Sequence, residues 1–452
     1  MQKRLPGLLL SFIIGAYCIL FVHEQAAFAT QGQKDAEQVK LAKEFVSQLS
    51  KGKFELSVAR FDKVMSKALP ADKLKTIWGG IVRQYGPLQR SSETRVEIVN
   101  QYHLVFVTCE FERGKLDAKV VFSADNKITG LFFVPTESYR TPSYVDASLF
   151  EEEEVTFGKG IWLLPGTLTL PKGKGPFPAV VLVHGSGPND RDETIGPNKP
   201  FRDLAQGLAS QGIAVLRYEK RTKHHRLKMA LLMGNMTVKE ETIDDAVAAV
   251  DFLVKHERID SRRVFVLGHS LGGNLIPQIG TETDRIAGFI SLAGSVRPLE
   301  DLVLDQTRYL FSYDGKITEE EQLKIDEITR QVKKVKSPEL SPETDAKELP
   351  LGIPAKYWLD LRGYNPAVSA KALKAPLLIL QGERDYQVTM DDFSKWKNAL
   401  ETCSNVKFIS YPKLNHLFME GEEKSSPAEY TVPGNVAKAV INDIAHWVKT
   451  QK

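Results

Sequence analysis

The feature that most constrains the fold is a regular alternation of two kinds of segment along residues 150–452. Runs rich in Val, Ile and Leu, such as "PAVVLV" and "RRVFVLG", alternate with amphipathic segments such as "FRDLAQGLASQ" and "ETIDDAVAAVDFLVKH". Runs that are apolar at almost every position predict strands buried on both faces, and the segments between them predict helical crossovers. The pattern therefore predicts an α/β fold with a mostly parallel central sheet and helices on both faces.

A long segment, at about residues 296–372, interrupts this alternation. It contains the charged helical sequence "TEEEQLKIDEITRQVKKV" and the Pro-rich sequence "SPELSPETDAKELPLGIP", and it is too long for a plain connection. We therefore predict an inserted helical cap. Residues 35–142 follow another pattern, because helical spacing to about residue 83 is followed by three or four strand-like runs. This order predicts a small α+β domain ahead of the α/β domain of residues 150–452.

The N-terminus has the three parts of a secretory signal. Lys3 and Arg4 precede the apolar run of residues 8–22, and the small-x-small sequence "AFA" ends at Ala29. We predict a signal peptide over residues 1–29 that is cleaved after Ala29, and hence a secreted, periplasmic or cell-envelope protein without a stable membrane span. An uncleaved anchor is the alternative, although the run is short for the ~20 residues that a span needs.

Charge and cysteine content argue against several classes of function. The 60 Lys and Arg residues nearly balance the 57 Asp and Glu residues, so the net charge of +3 gives no basis for nucleic-acid binding. Outside the predicted signal, Cys109 and Cys403 form neither a disulfide scaffold nor a zinc-ligand spacing. We expect no metal and no cofactor, and nothing in the sequence indicates the oligomeric state.

The sequence Gly-His-Ser-Leu-Gly at residues 268–272 matches the pattern G-x-S-x-G. It follows the apolar run "VFVL" and opens the segment "GGNLIPQIG", which is the strand-to-helix context of a nucleophile elbow. The glycines leave room for a strained serine backbone and for close packing of the helix. We predict that Ser270 is a nucleophile.

A serine nucleophile needs a base and a carboxylate that orients the base. The strand "LLILQG" is followed by Glu383 and Asp385, and the strand "KFISY" is followed by His416. We favour Asp385 over Glu383 as the acid and predict that His416 takes the proton from Ser270. We expect His269, within the elbow, to pack beneath the site rather than to act in it.

The oxyanion of such a reaction needs two N–H donors. We assign the backbone N–H of Leu271, at the start of a helix, and that of Ser186 in the loop "HGSGPNDRDET", with Gly187 as the second choice. Charged residues should surround the mouth of the site, where they either pair with one another or bind substrate: residues 189–192, Arg217, Glu219 and Arg221.

Substrate-binding residues are predicted in two places. Gly187 lies in the loop that is expected to approach the substrate, and Tyr357 and Trp358 form an aromatic group in the predicted cap. The aromatic pair could form the wall of an acyl pocket. The alternative is that it anchors the cap to the α/β core.

These motifs occur in the order found in serine hydrolases of the α/β-hydrolase superfamily, which residues 150–450 resemble. The segments "HGSGPNDRDETIGPNKPFRDLA", "LRYEKRT" and "GHSLGG" are similar to secreted EstD-like carboxylesterases, which also carry a small domain ahead of the hydrolase. The resemblance implies hydrolysis of small, short-acyl esters. Two alternatives stay open: a serine peptidase or amidase of the prolyl-oligopeptidase-like branch, and a non-catalytic envelope-binding protein on the same scaffold.

Overall fold

The computed structural model describes residues 33–100 and 102–451, and the chain divides into two compact units, Met1–Ser138 and Tyr139–Lys452. The predicted signal peptide lies outside the described residues. The division comes a few residues before the predicted end of the first domain at residue 142. Residues 139–144 belong to the second unit because they bond to it. The hydroxyl of Tyr139 donates to Asp203 (2.8 Å), and that of Tyr144 donates to the carbonyl of Val436 (2.7 Å).

The first unit is the predicted α+β domain. Its antiparallel sheet has the strand order β1-β2-β3-β4, and the longer helices cover one face with a shared core that includes Phe45, Trp78 and Phe122. The elements are α1 (33–50), α2 (Phe54–Val58), α3 (Lys63–Ala68), α4 (Ala71–Tyr85), β1 (Leu88–Val99), β2 (Tyr102–Phe111), β3 (Gly114–Phe122) and β4 (Ile128–Val134).

The second unit contains an eight-stranded sheet of order β12-β11-β10-β9-β7-β8-β6-β5. The strands are parallel except β6, which is antiparallel to both of its neighbours, β5 and β8. Their bounds are β5 (Phe150–Phe157), β6 (Leu164–Pro171), β7 (Phe177–Val183), β8 (Ala214–Tyr218), β9 (Ile259–His269), β10 (Gly288–Leu292), β11 (Leu377–Gly382) and β12 (Val406–Tyr411). The predicted mostly parallel sheet is confirmed.

Helices cover both faces of this sheet because its central strands are apolar on both sides. On β7, Val180 and Leu182 face a core shared with α5 (Pro200–Ala209) and α15 (Lys438–Thr450), whereas Val181 and Val183 face the opposite core. The remaining helices outside the cap are α6 (Arg221–His224), α7 (Arg226–Leu232), α8 (Asp244–Val254), α9 (Leu271–Glu282) and α14 (Met390–Leu400). In the part of the chain that the structure describes, no helix is long and apolar enough to cross a membrane.

The predicted helical cap is present between β10 and β11. It contains α10 (Leu299–Phe311), α11 (Glu319–Lys336), α12 (Ala355–Leu361) and α13 (Pro366–Ser369). Helix α11 begins at a capping box between Thr318 and Glu321, and it packs on α10 through a small core of Leu304, Ile325 and Val332. The cap therefore has its own apolar contacts, and α10 lies next to the carboxyl ends of the strands, where the site is found.

Candidate active site

Ser270 lies in the sharp turn between β9 and α9. Its backbone has φ 53° and ψ −114°, a strained conformation for a residue with a side chain. A Cβ at Gly268 would overlap the carbonyl of Gly272, and a Cβ at Gly272 would overlap the carbonyl of Val183 on the neighbouring strand β7. The two flanking glycines are therefore required by close backbone approach, as the motif predicted.

Asp385 and His416 come together at the ends of β11 and β12. The Nδ1 atom of His416 lies 2.6 Å from Oδ2 of Asp385, and both side chains are buried. The other carboxylate oxygen of Asp385 accepts the N–H groups of Gln387 (2.8 Å) and Val388 (3.0 Å). The alternative acid, Glu383, is exposed and accepts from Ser410 instead (2.8 Å). Of the two candidate acids, Asp385 alone contacts this histidine.

The loop after β7 passes directly beside the elbow. A Cβ at Gly185 would lie 3.1 Å from Cβ of Ser270, and Ser186 lines the same cavity as Ser270 and Leu271. Leu271 is the first residue of α9, so its N–H has no acceptor within the helix. Gly187 has φ 90° and does not line this cavity, although it directly follows Ser186.

A buried ion pair lies beneath the elbow. Nδ1 of His269 is 2.8 Å from Oε2 of Glu193, and its Nε2 is 3.0 Å from the carbonyl oxygen of His416. Burial lowers the pKa of His269, but the Glu193 carboxylate outweighs burial and leaves that pKa above its usual value. The second oxygen of Glu193 accepts the N–H of Gly185 (2.7 Å). The pair thus joins the three loops that carry Gly185, Ser270 and His416. Nothing in the sequence singled out Glu193.

Of the residues predicted to surround the mouth of the site, only Asn189 lines the cavity beside Ser270, and most of the charged ones form salt bridges. Arg191 pairs with Glu219 (3.0 Å), and Arg217 pairs with Asp192. The guanidinium group of Arg221 donates to both carboxylate oxygens of Asp245. Salt bridges, two of them within the predicted set, therefore account for Arg191, Arg217 and Arg221. No group of three His, Cys, Asp or Glu side chains within the described residues could hold a metal ion.

A cavity of about 220 Å³ opens over Ser270 and His416. Its apolar wall comes from the cap, and chiefly from one face of α10. The apolar and aromatic lining residues from this segment include Leu299, Leu302, Val303, Leu361 and Tyr364. The same cavity is also lined by polar side chains, among them Arg297, Gln306 and Gln387, so it combines an apolar wall with polar groups.

Tyr357 and Trp358, which the sequence suggested as a pocket wall, are not among the residues that line this cavity. Both are buried. The hydroxyl of Tyr357 donates to Glu241 (2.7 Å), and the indole N–H of Trp358 donates to the carbonyl of Ile353 (3.1 Å). Tyr357 packs in the core beside the sheet, as the anchoring alternative predicts, whereas Trp358 packs in a small cluster within the cap. Of helix α12, the last residue, Leu361, lines the cavity.

The sheet with one antiparallel second strand, the strained serine between β9 and α9, and the histidine after β12 together define a serine hydrolase of the α/β-hydrolase fold. The sequence matches the family described as "Serine aminopeptidase, S33" over residues 176–424, and the chain belongs to this family. Residues 42–131, in the first unit, match a family of unknown function (DUF3887).

Among curated proteins, the chain is similar to Esterase EstD of Thermotoga maritima, with 42% identity over 406 residues that cover 89% of this chain and 93% of that protein. It is more distantly similar to the acylamino-acid-releasing enzyme of Homo sapiens, with 25% identity over 61% of this chain and 33% of that protein. Among solved structures, Est1E from Butyrivibrio proteoclasticus is 15% identical, with a TM-score of 0.42 over 66% of this chain and 98% of that chain.

Proposed function

We propose that the protein is a carboxylesterase that hydrolyses small, short-acyl esters through Ser270, His416 and Asp385. Its family and its 42% identity to an esterase over 89% of the chain make it a carboxylic ester hydrolase. The observation that best supports the residue assignment is the buried 2.6 Å contact between His416 and Asp385, in a cavity that also contains the strained Ser270.

The proposed reaction has two halves. Oγ of Ser270 attacks the ester carbonyl carbon while Nε2 of His416 takes its proton, and the N–H groups of Leu271 and Ser186 bind the oxyanion. Collapse of the tetrahedral intermediate breaks the ester bond, and His416 returns the proton to the departing alcohol. Water then attacks the acyl-serine with His416 as base, and the second collapse releases the acid and restores Ser270. Asp385 accepts the Nδ1–H of His416 throughout.

The proposed acyl-chain preference rests on the size of the cavity. A volume of about 220 Å³ holds a short acyl group next to the serine, and the apolar wall of α10 excludes water from the reacting bond. The peptidase alternative is supported by the description of the matching family and by the similarity to acylamino-acid-releasing enzymes. That similarity covers only 33% of the human enzyme, so the esterase proposal is favoured.

The test is hydrolysis of p-nitrophenyl acetate, butyrate and palmitate by the protein without residues 1–29, beside Ser270→Ala. We expect turnover of the two short esters and a loss of at least about 10³-fold in Ser270→Ala. Ser210→Ala, at the end of α5, is the matched control and should keep its activity. Equal activity of Ser270→Ala and the parent protein would refute the assignment. Cleavage of acyl-amino-acid amides at a higher kcat/KM than any ester would favour the peptidase.

We also propose that the protein is exported and that residues 1–29 are removed. The basic start, the apolar run of residues 8–22 and the sequence "AFA" before residue 30 support this. Intact-mass measurement of the protein expressed from its full sequence with its export pathway should give a chain beginning at Thr30. A chain that retains residues 1–29 in the membrane fraction would favour the anchor.

A further inference from the structure

The peptide group between Gly185 and Ser186 contributes the second proposed oxyanion donor, and a buried charge contacts its other end. Nζ of Lys220 donates to the carbonyl oxygen of Gly185 at 2.8 Å. This carbonyl and the N–H of Ser186 belong to the same amide. The same oxygen also accepts the side-chain amide of Asn189, at the longer distance of 3.2 Å.

Lys220 is buried at 2% exposure, which is rare for a lysine. Its charge is balanced by Glu241, whose Oε1 lies 2.6 Å from Nζ. The other oxygen of Glu241 accepts the hydroxyl of Tyr357 on cap helix α12. A buried ammonium ion is costly unless it is paired and hydrogen-bonded. The ammonium group of Lys220 is nevertheless buried here, and one of its hydrogen bonds goes to the carbonyl of Gly185.

The geometry of a peptide group connects this contact to the site. Among the described residues the only cis peptide bond is Gly175-Pro176, so the Gly185–Ser186 peptide is trans, and its C=O and N–H point in opposite directions. A carbonyl held toward buried Lys220 therefore leaves the N–H of Ser186 directed away from it. Ser186 lines the cavity beside Ser270.

We propose that Lys220 is a positioning residue for the oxyanion hole, which acts through the Gly185–Ser186 peptide. Its ammonium group fixes the orientation of the peptide and draws electron density toward the carbonyl oxygen, which makes the N–H of Ser186 a stronger donor. Because charge on the substrate oxygen is greatest in the transition state, the effect falls on kcat rather than on substrate binding. This inference rests on the proposed function, since it assumes that Ser186 binds the oxyanion.

The test is the kinetics of Lys220→Met with p-nitrophenyl butyrate. Loss of an oxyanion donor costs about 10²–10³-fold in kcat, and Lys220 strengthens a donor without replacing it, so we expect a fall of about 10-fold with KM nearly unchanged. Affinity for a butyl trifluoromethyl ketone, whose adduct with Ser270 carries an oxyanion, should fall by the same factor. Lys199→Met is the matched control, because Lys199 ends the loop that carries Gly185 and Ser186 but pairs with the side chain of Asp192 (2.8 Å).

A second variant provides the test if Lys220→Met alone does not fold. Lys220→Met with Glu241→Gln removes both charges of the pair together and leaves an amide that accepts from Tyr357. The same kcat loss in this double variant supports the inference. The inference would be overturned by an unchanged kcat, by an equal loss of kcat in Lys199→Met, or by a loss of kcat/KM that comes from a higher KM. A double variant that also does not fold would overturn it as well. Failure of the proposed function is separate, because it would appear as activity that survives in Ser270→Ala.

Discussion

Neighbouring groups fix the orientation of the Asp385 carboxylate. One oxygen accepts two backbone N–H groups, and the other receives His416 and the side-chain amide of Gln381 (3.2 Å). These contacts leave the carboxylate little freedom to turn. Glu383, two residues earlier, is exposed and accepts from Ser410.

We therefore expect Asp385→Asn to lower kcat for p-nitrophenyl butyrate by about 10³- to 10⁴-fold, because the amide orients His416 in the wrong tautomer. Glu383→Gln makes the same chemical change two residues away and should leave kcat within about 2-fold of the parent. Steady-state kinetics of both variants is the measurement. A larger loss in Glu383→Gln than in Asp385→Asn would show that the acid had been assigned wrongly.

Sequence reasoning predicted the contact between Asp385 and His416 but neither Lys220 nor Glu193, and the reason is physical. Asp385 follows a buried strand, so its place at the edge of the sheet could be predicted from periodicity. Lys220 lies in the charged run "RYEKR", which resembles a solvated surface segment. Its burial depends on Glu241, and the burial of Glu193 depends on His269, and neither pairing leaves a local pattern.

At the scale of elements, α10 presents different faces to two environments. Leu299, Leu302 and Val303 line the cavity over Ser270, whereas Leu304 packs against α11. The helical period of 3.6 residues places the lining residues on one side. A helix within the insertion thus forms much of the cavity wall. The length of the acyl chain that the protein accepts should therefore depend on the side chains of this face.

Leu302→Ala should widen the cavity and raise kcat/KM for p-nitrophenyl octanoate relative to the acetate by about 10-fold. Leu304→Ala removes the same atoms from the other face of α10, so it tests whether loosening the cap is enough to change specificity. We expect it to lower stability by about 2–4 kcal/mol without changing this ratio. An equal change of the ratio in both variants would contradict the assignment of the α10 face.

At the scale of the whole molecule, the free energy of unfolding should fall in acid because of one buried histidine, His184. Burial lowers the pKa of His184 to about 4, and its ring packs between Phe201 and Tyr218. Because the unfolded chain binds this proton more readily than the folded protein, stability falls as pH drops from about 6.5 toward 4. The loss from this one group reaches about 3 kcal/mol at pH 4.

Chemical unfolding between pH 7 and pH 4 measures this effect, and tryptophan fluorescence follows it because four of the five Trp residues lie in the second unit. His184→Gln keeps an N–H donor for the carbonyl of Asp190, which His184 contacts at 3.0 Å, but it does not titrate. We expect the variant to lose about 3 kcal/mol less than the parent over this range. Parallel losses would mean that the folded and unfolded chains bind this proton equally well, so that burial does not lower the pKa of His184.

By itself, the sequence determined the two-domain order, the mostly parallel sheet, the inserted cap and the strand-to-helix turn at Ser270, because burial and backbone geometry repeat with local periods. Only the tertiary structure decided which side chains meet across long separations. Glu241 and Tyr357 are 116 residues apart, and the cavity wall belongs to α10 instead of the aromatic pair in α12. Such pairings depend on where whole elements pack and on which charges lose water together, and no local stretch of sequence records either.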